Sequence, residues 1–250
     1  MIRLHVQAPL SAGVVMAPDQ EQARYLISVM RLGEGDEVAL FNGRDGEWRA
    51  RLGDVTKRGC TLTPIRRTRA QTSPPDLDLV MALVKRSPLE RVVEKATELG
   101  VGRIRLVTTQ RTNADHTNVS RLQAIATEAA EQCGRMEVPQ VVAPERLDRL
   151  VEAWPASRRL MVCDEAGAEA HDGPDAGAAA PLPALKALND AQRGAWGVLI
   201  GPEGGFDPAE RVRLQSCPAV ICVTLGPRIL RADSAAIAAV TLWQAILGDW

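Results

Sequence analysis

The chain has 250 residues, of which 46 % are hydrophobic and 24 % are charged, and its formal net charge is −1. These values are typical of a soluble folded protein and exclude a fibrous or a wholly disordered chain. Only two Phe, one Tyr and five Trp are present, which argues against a nucleic-acid site of stacked rings, so any RNA contact would depend on Arg and Lys.

Cysteines and histidines are scattered along the sequence. The five cysteines never form a C-x-x-C pair, and His5, His116 and His171 stand apart from them. This pattern argues against a disulfide framework and against a metal site, and favours a reducing compartment. The sequence also lacks a charged-then-apolar leader and any run of eighteen apolar residues. We therefore expect a cytoplasmic protein that needs no metal and contacts no membrane.

Charge is distributed unevenly along the chain. Residues 1–72 hold eleven Lys and Arg against eight Asp and Glu, a net charge of +3. Residues 85–136 hold nine basic against six acidic groups, whereas residues 144–192 hold five against nine. The two basic segments predict a surface for a polyanion.

Short apolar segments separated by glycine-rich turns predict a small β-barrel in residues 1–72. Turns are expected at Asn42-Gly43 and Asp45-Gly46. The polar segment Thr68–Pro75 ends in two prolines and predicts an extended linker, which places the domain boundary between residues 72 and 73. The expected elements are strands over 2–6, 38–42, 47–52 and 60–65, and a helix over 19–30.

From Leu77 onward, strands alternate with helices, which predicts an α/β domain with a mostly parallel sheet over residues 73–250. Ser87 is the expected N-cap of the first helix, Pro88 its first residue and Gly100 its end. The segment 167–183 is poor in large apolar residues and predicts a mobile surface insertion. The expected strands cover 77–84, 103–109, 138–142, 160–163, 197–200 and 220–225, and the helices cover 87–99, 119–133, 208–215 and an apolar 233–247.

Two glycine-containing loops follow strands that we expect to be neighbours. Gly201–Gly205 follows the strand 197–200, and Leu225–Arg231 follows the strand 220–225. Either loop alone could be a plain tight connection, but two loops at one sheet edge predict a ligand pocket. Phosphate-loop, dinucleotide and G-x-S-x-G signatures are missing. Backbone groups with Ile200, Ile229 and Leu230 suit a neutral or cationic ligand such as an adenosyl sulfonium.

Several ordered motifs carry a family resemblance. They are Lys85-Arg86 with Glu90, Lys95 and Glu98-Leu99-Gly100, the segment EAAEQCGR at 128–135 before Val138-Pro139, IGPEGGF at 200–206 and LGPRILR at 225–231. Together they resemble the bacterial 16S ribosomal RNA uridine-N3 methyltransferases, the RsmE family, over most of the chain. The resemblance implies a PUA-like β-barrel followed by a SPOUT α/β domain with a C-terminal deep trefoil knot at about residues 197–250. It also implies a homodimer that uses S-adenosylmethionine to methylate uridine 1498 of 16S RNA in the small ribosomal subunit.

The resemblance also implies the site residues. A third wall of the cofactor pocket is expected near Cys163. The sequence departs from the family pattern in two places. Ala232-Asp233-Ser234 stands where the family has Thr-Glu-Thr, which leaves the role of Asp233 open. Gln110-Arg111-Thr112 stands where the family has Ser-Glu-Arg-Ser. The cofactor-binding positions are Leu199, Ile200, Gly201, Pro202, Glu203, Gly204, Gly205, Leu225, Gly226, Ile229, Leu230 and Arg231.

Methylation of N3 removes an imide proton and spreads negative charge onto O2 and O4 of the uracil. Arg231 is the expected stabiliser of that charge, because a guanidinium is a planar donor that stays charged; a salt bridge or a phosphate contact is the alternative. Glu203 is the candidate proton acceptor, with a helix cap as its alternative. Any one of the remaining cations could instead be a solvated surface charge. The expected RNA-phosphate contacts are Arg3, Arg31, Lys85, Arg86, Arg111 and Arg135.

Two other functions remain open at this point. A related knotted enzyme could methylate a ribose 2′-hydroxyl, and nucleoside analysis of the product separates the two reactions. A catalytically silent RNA-binding protein is the other alternative, and the altered Ala232-Asp233-Ser234 is the feature that favours it.

Overall fold

The computed structural model describes residues 1–113, 117–164 and 181–250. It divides into two compact units, one of residues 1–73 and 127–138 and the other of residues 74–126 and 139–250. The segment 127–138 thus belongs to the first unit, although the sequence predicted a single domain boundary, between residues 72 and 73. Hydrogen bonds explain this assignment, because the Arg3 guanidinium donates to the carbonyl oxygens of Ala130 at 2.8 Å and Glu131 at 2.9 Å.

The first unit contains a four-stranded sheet in the order β1-β2-β3-β4. Strands β1 and β2 are parallel, and the other pairs are antiparallel. Leu26, Val38, Leu40 and Leu62 form the centre of its core and are fully buried. Its elements are β1 Arg3–His5, α1 Gln20–Arg24, β2 Glu37–Phe41, β3 Glu47–Gly53 and β4 Thr61–Arg69.

All four predicted strands of the first unit are confirmed, but β4 is longer than expected. It continues to Arg69, so the predicted start of the linker at Thr68 is wrong. Pairing with β3 extends the strand, and the Thr68 hydroxyl donates to the Glu47 carbonyl oxygen at 3.0 Å. The predicted helix over 19–30 divides into α1 and a π-helical turn, Tyr25–Val29.

The turn between β2 and β3 follows the expected chemistry. The Asn42 side-chain oxygen accepts hydrogen bonds from the backbone N–H groups of Arg44 and Asp45, at 3.1 and 2.9 Å. Gly43 and Gly46 have φ values of 75° and 82°, in the left-handed region that glycine tolerates. The predicted Asn-Gly and Asp-Gly turns are confirmed.

The second unit contains a seven-stranded sheet in the order β7-β6-β5-β10-β8-β11-β9. Within the described residues, every strand pair of this sheet is parallel, which confirms the α/β prediction. Its strands are β5 Leu77–Ala82, β6 Arg103–Thr108, β7 Gln140–Arg146, β8 Arg159–Cys163, β9 Leu182–Pro183, β10 Trp196–Ile200 and β11 Val220–Thr224. Its helices are α2 Arg86–Glu98, α3 Val119–Cys133, α4 Leu147–Glu152, α5 Ala184–Asn189, α6 Pro208–Ser216 and α7 Ala232–Leu247, of which α3 ends among the residues of the first unit.

Three short elements, α4, α5 and β9, were not predicted from the sequence. The predicted N-cap at Ser87 is also wrong. The N–H of Leu89 donates to the carbonyl oxygen of Lys85 at 3.1 Å, which makes Lys85 the N-cap and places Pro88 at the third helical position. Proline is tolerated there, because no N–H in the first turn has an intrahelical partner. Most of the segment expected to be a surface insertion, residues 165–180, lies outside the described residues.

The last helix, α7, is packed against α2, α5 and β10. Trp243 and Gln244 are buried in it, as the apolar sequence of the helix predicts. The Gln244 Nε2 donates to the carbonyl oxygen of Leu99 at 2.6 Å. A Cβ at Gly100, where φ is 82°, would lie 2.5 Å from that nitrogen, so only glycine fits where α2 ends. None of the helices in the described ranges is long and apolar enough to cross a membrane.

Candidate functional site

The carboxyl ends of β8, β10 and β11 meet at one edge of the sheet. Ile200 of β10 and Val223 of β11 are both in register with Cys163 of β8, so the three strands end at the same level. The expectation that β10 and β11 are neighbours is therefore wrong, because β8 lies between them. The loops that follow β10 and β11 consequently lie on both sides of the end of β8, which is the third wall expected near Cys163.

A cavity of about 450 Å³, the loop cavity, opens between these segments. Cavities of this size can enclose a small cofactor. Its wall combines backbone, apolar side chains and a few charged groups. The lining residues are Arg111, Cys163, Asp164, Ile200, Gly201, Pro202, Glu203, Gly204, Gly205, Phe206, Arg211, Ile229, Leu230, Arg231, Ala232 and Ala235.

The loop after β10 is held in a compact form by its glycines and by Phe206. A Cβ on Gly201 would lie 3.0 Å from the Phe206 ring, which is itself buried in the core under the sheet. The N–H of Gly205 donates to the carbonyl oxygen of Pro202 at 2.9 Å, and the φ of Gly205 is 65°. Glycine at position 201 thus permits the close approach of the Phe206 ring, and glycine at position 205 permits the turn.

The loop ends at α6, which is capped by Asp207. The Asp207 side chain accepts from the N–H of Ala209, and the Glu210 side chain accepts from the N–H of Asp207, both at 2.9 Å. This capping box satisfies the start of the helix. The alternative role of Glu203 as the cap of this helix is therefore wrong, and the exposed Glu203 lines the loop cavity instead.

Asp164 and Arg211 form an ion pair in the wall of the loop cavity. Arg211 donates from Nε at 2.7 Å and from Nη2 at 3.2 Å to the two carboxylate oxygens. The side chain of Arg211 is only 20 % exposed, and that of Asp164 only 11 %. Burial, and to a lesser degree the Asp164 carboxylate, raise the pKa of the Cys222 thiol. Asp164 follows a buried strand at its carboxyl end, which is the signal that could have identified it from the sequence.

The loop after β11 ends at Arg231, whose backbone carbonyl begins α7 as the N-cap. Its guanidinium is exposed and, among the described residues, has no ion-pair partner within 4.0 Å. Asp233, whose role the sequence left open, is buried, and its Oδ2 accepts from Arg91 of α2 at 2.8 Å. The departure at Ala232-Asp233-Ser234 therefore places a carboxylate against α2, and Asp233 is not among the lining residues.

Three of the expected cofactor positions do not line the loop cavity. Leu199 is fully buried in the core with Phe206, because successive residues of β10 point to opposite faces of the sheet. Leu225 and Gly226 precede the part of the second loop that reaches the cavity. The other nine expected positions do line it. Sequence reasoning missed Asp164, Phe206 and Arg211, and assigned Arg111 only to RNA.

A second cavity of about 250 Å³, the basic cavity, adjoins the loop cavity. Arg111, Pro202 and Glu203 line both cavities. The Arg111 Nη1 donates to the carbonyl oxygen of Gly204 at 3.1 Å, and Gly204 packs so closely that a Cβ there would lie 3.3 Å from the Arg111 Cβ. The remaining lining residues are Leu83, Val84, Lys85, Arg86 and Asn113.

Arg86 is joined to a charged cluster on α2 and α3. Hydrogen bonds from Arg121 and from Arg86 to the Glu90 carboxylate, at 2.6 and 2.7 Å, lower the pKa of Glu90 to about 2. Lys85 is exposed, and no carboxylate lies within ion-pair distance of it in the described parts of the chain. The pair Lys85-Arg86 therefore presents positive charge at the rim of the basic cavity.

Two of the six expected RNA contacts have structural roles instead. The Arg3 side chain is 13 % exposed and donates to the Glu47 carboxylate at 2.8 Å, besides its backbone bonds to the segment 127–138. Arg135 is largely buried, and its Nε donates to Glu137 at 3.1 Å. A guanidinium whose donors are already used inside the protein is a poor phosphate ligand. Arg31 is exposed on the first unit.

Two family descriptions match the chain. "RNA methyltransferase domain" covers residues 71–244, and "RNA methyltransferase PUA domain" covers residues 18–65. The ribosomal RNA small subunit methyltransferase E of Synechocystis is 32 % identical over 251 residues, which cover 94 % of this chain and 77 % of that protein. The protein of the same name from Rickettsia conorii is 27 % identical over 240 residues, covering 95 % and 93 %.

Solved structures are similar over the whole chain. A methyltransferase of Legionella pneumophila, in complex with the bound cofactor SAM, has a TM-score of 0.82 at 27 % identity and covers 100 % of this chain and 99 % of its own. The ribosomal RNA small subunit methyltransferase E of Neisseria gonorrhoeae, bound to S-adenosyl methionine, has a TM-score of 0.83 at 25 % identity, with the same coverage. Each of these two neighbours was therefore solved with the same cofactor.

Proposed function

Since the chain belongs to the RNA methyltransferase family of the ribosomal RNA small subunit methyltransferases E (RsmE), we propose that it transfers the methyl group of S-adenosylmethionine to N3 of uridine 1498 in 16S ribosomal RNA. The observation that carries this proposal is the loop cavity. Both glycine loops and the end of β8 converge on a single site at the carboxyl edge of a parallel sheet, where ligands of α/β proteins bind.

The residues of the loop cavity fit S-adenosylmethionine. The space of about 450 Å³ suits a ligand of that size, and Ile200 and Leu230 offer apolar surface to an adenine ring. Gly204 packs closely against Arg111 and has no side chain. The loop backbone is therefore open to a ligand at this position. Arg211 neutralises Asp164 in the wall, so the Glu203 carboxylate is the acidic group left to attract a sulfonium. When bound, the cofactor supplies a methyl group on a positively charged sulfur.

The chain's own residues position the uracil and move its proton. Glu203 accepts the N3 proton, since it is an acidic residue that lines the cavity and does not cap the following helix. Arg231 donates hydrogen bonds to a uracil carbonyl oxygen, where negative charge develops as the proton leaves. No group of three or more metal-ligating side chains occurs in the described residues.

The strand order supports a deep trefoil knot over about residues 197–250. The chain leaves β10, crosses the position of β8 and forms β11 on its far side. Helix α7 then returns to pack against β10 and α2. Knots are rare in proteins, and this order of elements is compatible with the SPOUT class that the resemblance implies.

Partners and compartment follow from the same proposal. Residues 1–72 act as the RNA-binding domain and 73–250 as the methyltransferase domain, in the cytoplasm where ribosomal subunits are assembled. The RNA-phosphate contacts are Arg31, Lys85, Arg86 and Arg111, which remain exposed. The active form is a homodimer, for which the 83 % exposed Ile229 beside the loop cavity is a candidate contact.

The test is a methylation assay on small ribosomal subunits from a strain that lacks this modification, with labelled S-adenosylmethionine and nucleoside analysis. The proposal predicts N3-methyluridine at position 1498. A 2′-O-methylated nucleoside would instead identify the ribose methyltransferase. Cofactor binding by calorimetry without methyl incorporation would identify a silent RNA-binding protein.

A further inference from the structure

The turn that follows β6 carries Arg111 and is closed by its own hydrogen bonds. The N–H of Thr109 donates to the Thr112 hydroxyl at 2.9 Å, and the N–H of Thr112 donates to the Thr109 carbonyl oxygen at 3.2 Å. We call residues 109–112 the Arg111 turn. Because its two ends are bonded to each other, any group that holds this turn also limits where the Arg111 side chain can lie.

The Glu210 carboxylate joins the Arg111 turn to the glycine loop after β10. One of its oxygens, Oε1, accepts from the N–H of Gln110 at 2.9 Å. The other, Oε2, accepts from the N–H of Asp207, the residue that ends the loop and caps α6, also at 2.9 Å. An ionised carboxylate can only accept hydrogen bonds, and here each oxygen serves a different segment of the chain. Residues 110 and 210 are thus in contact although they lie 100 positions apart.

A second hydrogen bond joins the same two segments. Arg111 donates from Nη1 to the Gly204 carbonyl oxygen at 3.1 Å, so the turn is attached through one backbone N–H and one guanidinium. Capping of α6 needs only the bond between Glu210 and Asp207. The bond to Gln110 is additional, and the role of Glu210 as part of a helix cap does not explain it.

The bond to Glu210 does not depend on the side chains of the turn. Gln110-Arg111-Thr112 stands where the family has Ser-Glu-Arg-Ser. The donor to Glu210 is a backbone N–H, which every residue except proline supplies. A turn with an altered sequence can therefore keep the same attachment to α6.

We infer that Glu210 is a positioning residue, which holds Arg111 at a fixed place beside the glycine loop and so aligns bound RNA with the methyl donor. This inference rests on the proposed function, in which Arg111 contacts an RNA phosphate and the glycine loop contacts the cofactor. Within the described chain, Glu210 is not among the residues that line the loop cavity or the basic cavity. It acts through Arg111, and alignment of two reactants raises the rate of the transfer itself.

Two variants separate the bond to the turn from the helix cap. Glu210→Gln keeps the cap, because glutamine also serves at this position of a capping box. Its amide has one acceptor oxygen, so its NH₂ group would face the N–H of Gln110, donor against donor. Asp207→Ala is the matched control, because it removes the cap bond to Ala209 and leaves the backbone N–H of residue 207 for Glu210. Arg111→Gln and the double variant with Glu210→Gln complete the set.

The first measurement is amide hydrogen exchange, which requires no enzymatic activity. Gln110 is exposed, and its amide is protected by the bond to Glu210. We expect exchange of this amide to accelerate about tenfold in Glu210→Gln, because one hydrogen bond is lost. In Asp207→Ala the exchange of the Gln110 amide should match the wild type.

The second measurement is methyl transfer to unmethylated small ribosomal subunits. For Glu210→Gln we expect kcat to fall about tenfold, while the Kd for S-adenosylmethionine stays within about twofold of the wild type. Asp207→Ala should keep the wild-type kcat and lower only the urea midpoint. Arg111→Gln should also lower kcat about tenfold, and the double variant should lose about tenfold instead of about 100-fold, because both changes remove the same alignment.

Three results would overturn the inference. Unchanged exchange of the Gln110 amide in Glu210→Gln would show that the bond does not hold the turn in solution. Faster exchange with a wild-type kcat would limit Glu210 to a structural role. A loss of about 100-fold in the double variant would show that Glu210 and Arg111 act independently. A wild type that transfers no methyl group, while the exchange still depends on Glu210, would refute the proposed function itself, so the two failures are distinguishable.

Discussion

Arg211→Ala is the substitution that most directly tests how the wall of the loop cavity is supported. Arg211 holds Asp164 through two hydrogen bonds of 2.7 and 3.2 Å, and both side chains are mostly buried. Its matched control is Arg213→Ala on the same helix. Arg213 pairs with Glu152 at 3.1 Å, but these side chains are 46 % and 68 % exposed.

The expected magnitudes differ because the burial differs. Removal of one partner from a buried ion pair costs about 3–5 kcal/mol, and the partial exposure of this pair reduces that to about 2–3 kcal/mol. An exposed pair contributes about 1 kcal/mol or less. Arg211→Ala should therefore lower the free energy of unfolding by about 2 kcal/mol more than Arg213→Ala. With a denaturant slope of about 2 kcal/mol/M, the urea midpoint falls about 1 M further.

Urea unfolding followed by tryptophan fluorescence measures this difference, because Trp154, Trp196 and Trp243 are buried in the second unit. Calorimetry with S-adenosylmethionine is the second readout. We expect affinity to fall about tenfold in Arg211→Ala, a loss that corresponds to about 1.4 kcal/mol of binding free energy, and to stay unchanged in Arg213→Ala. Equal midpoints for the two variants, or a wild-type affinity in Arg211→Ala, would refute this reasoning.

Three further predictions concern the same unit. Arg231→Ala should bind the cofactor normally and lose about 100-fold or more in kcat, measured by methyl incorporation; unchanged kcat would remove Arg231 from the chemistry. Gly201→Val should weaken cofactor binding in calorimetry, because its Cβ meets the Phe206 ring at 3.0 Å, whereas Gly59→Val has open space and should bind normally. Glu90 has a folded pKa of about 2 against 4.5, so its ion pairs stabilise the fold above about pH 4.5 and are lost as pH falls towards 2. The urea midpoints of the wild type and Glu90→Gln should therefore differ at pH 5 and converge near pH 2, and a constant difference would contradict the assignment.

The regular elements could be predicted from local sequence because their signals are local. The spacing of apolar residues in α3 predicted both of its ends, 119 and 133, as the structure has them. Gly100 was correctly expected at the end of α2, since a left-handed residue is needed there. The N-cap of α2 was wrong because proline is tolerated at several positions of a first turn, and the short α4 and α5 have too few residues to show periodicity.

The candidate site could be predicted only in part, because its partners are remote in sequence. The two glycine loops are visible as motifs, and most of their residues line one cavity. The position of β8 between β10 and β11 follows from the crossing of the chain, which no local pattern reports. Arg3 was expected to contact RNA, but the carbonyl oxygens that accept its hydrogen bonds lie up to 132 residues away in sequence. Local sequence therefore could not indicate its structural role.

In the proposed function, two loops together enclose the methyl donor. The most direct test is a crystal structure of the full chain grown with S-adenosylmethionine. We expect cofactor density between residues 200–206 and 229–232, with the sulfonium methyl group facing Glu203. Density elsewhere on the protein, or a methyl group directed away from Glu203, would contradict this expectation.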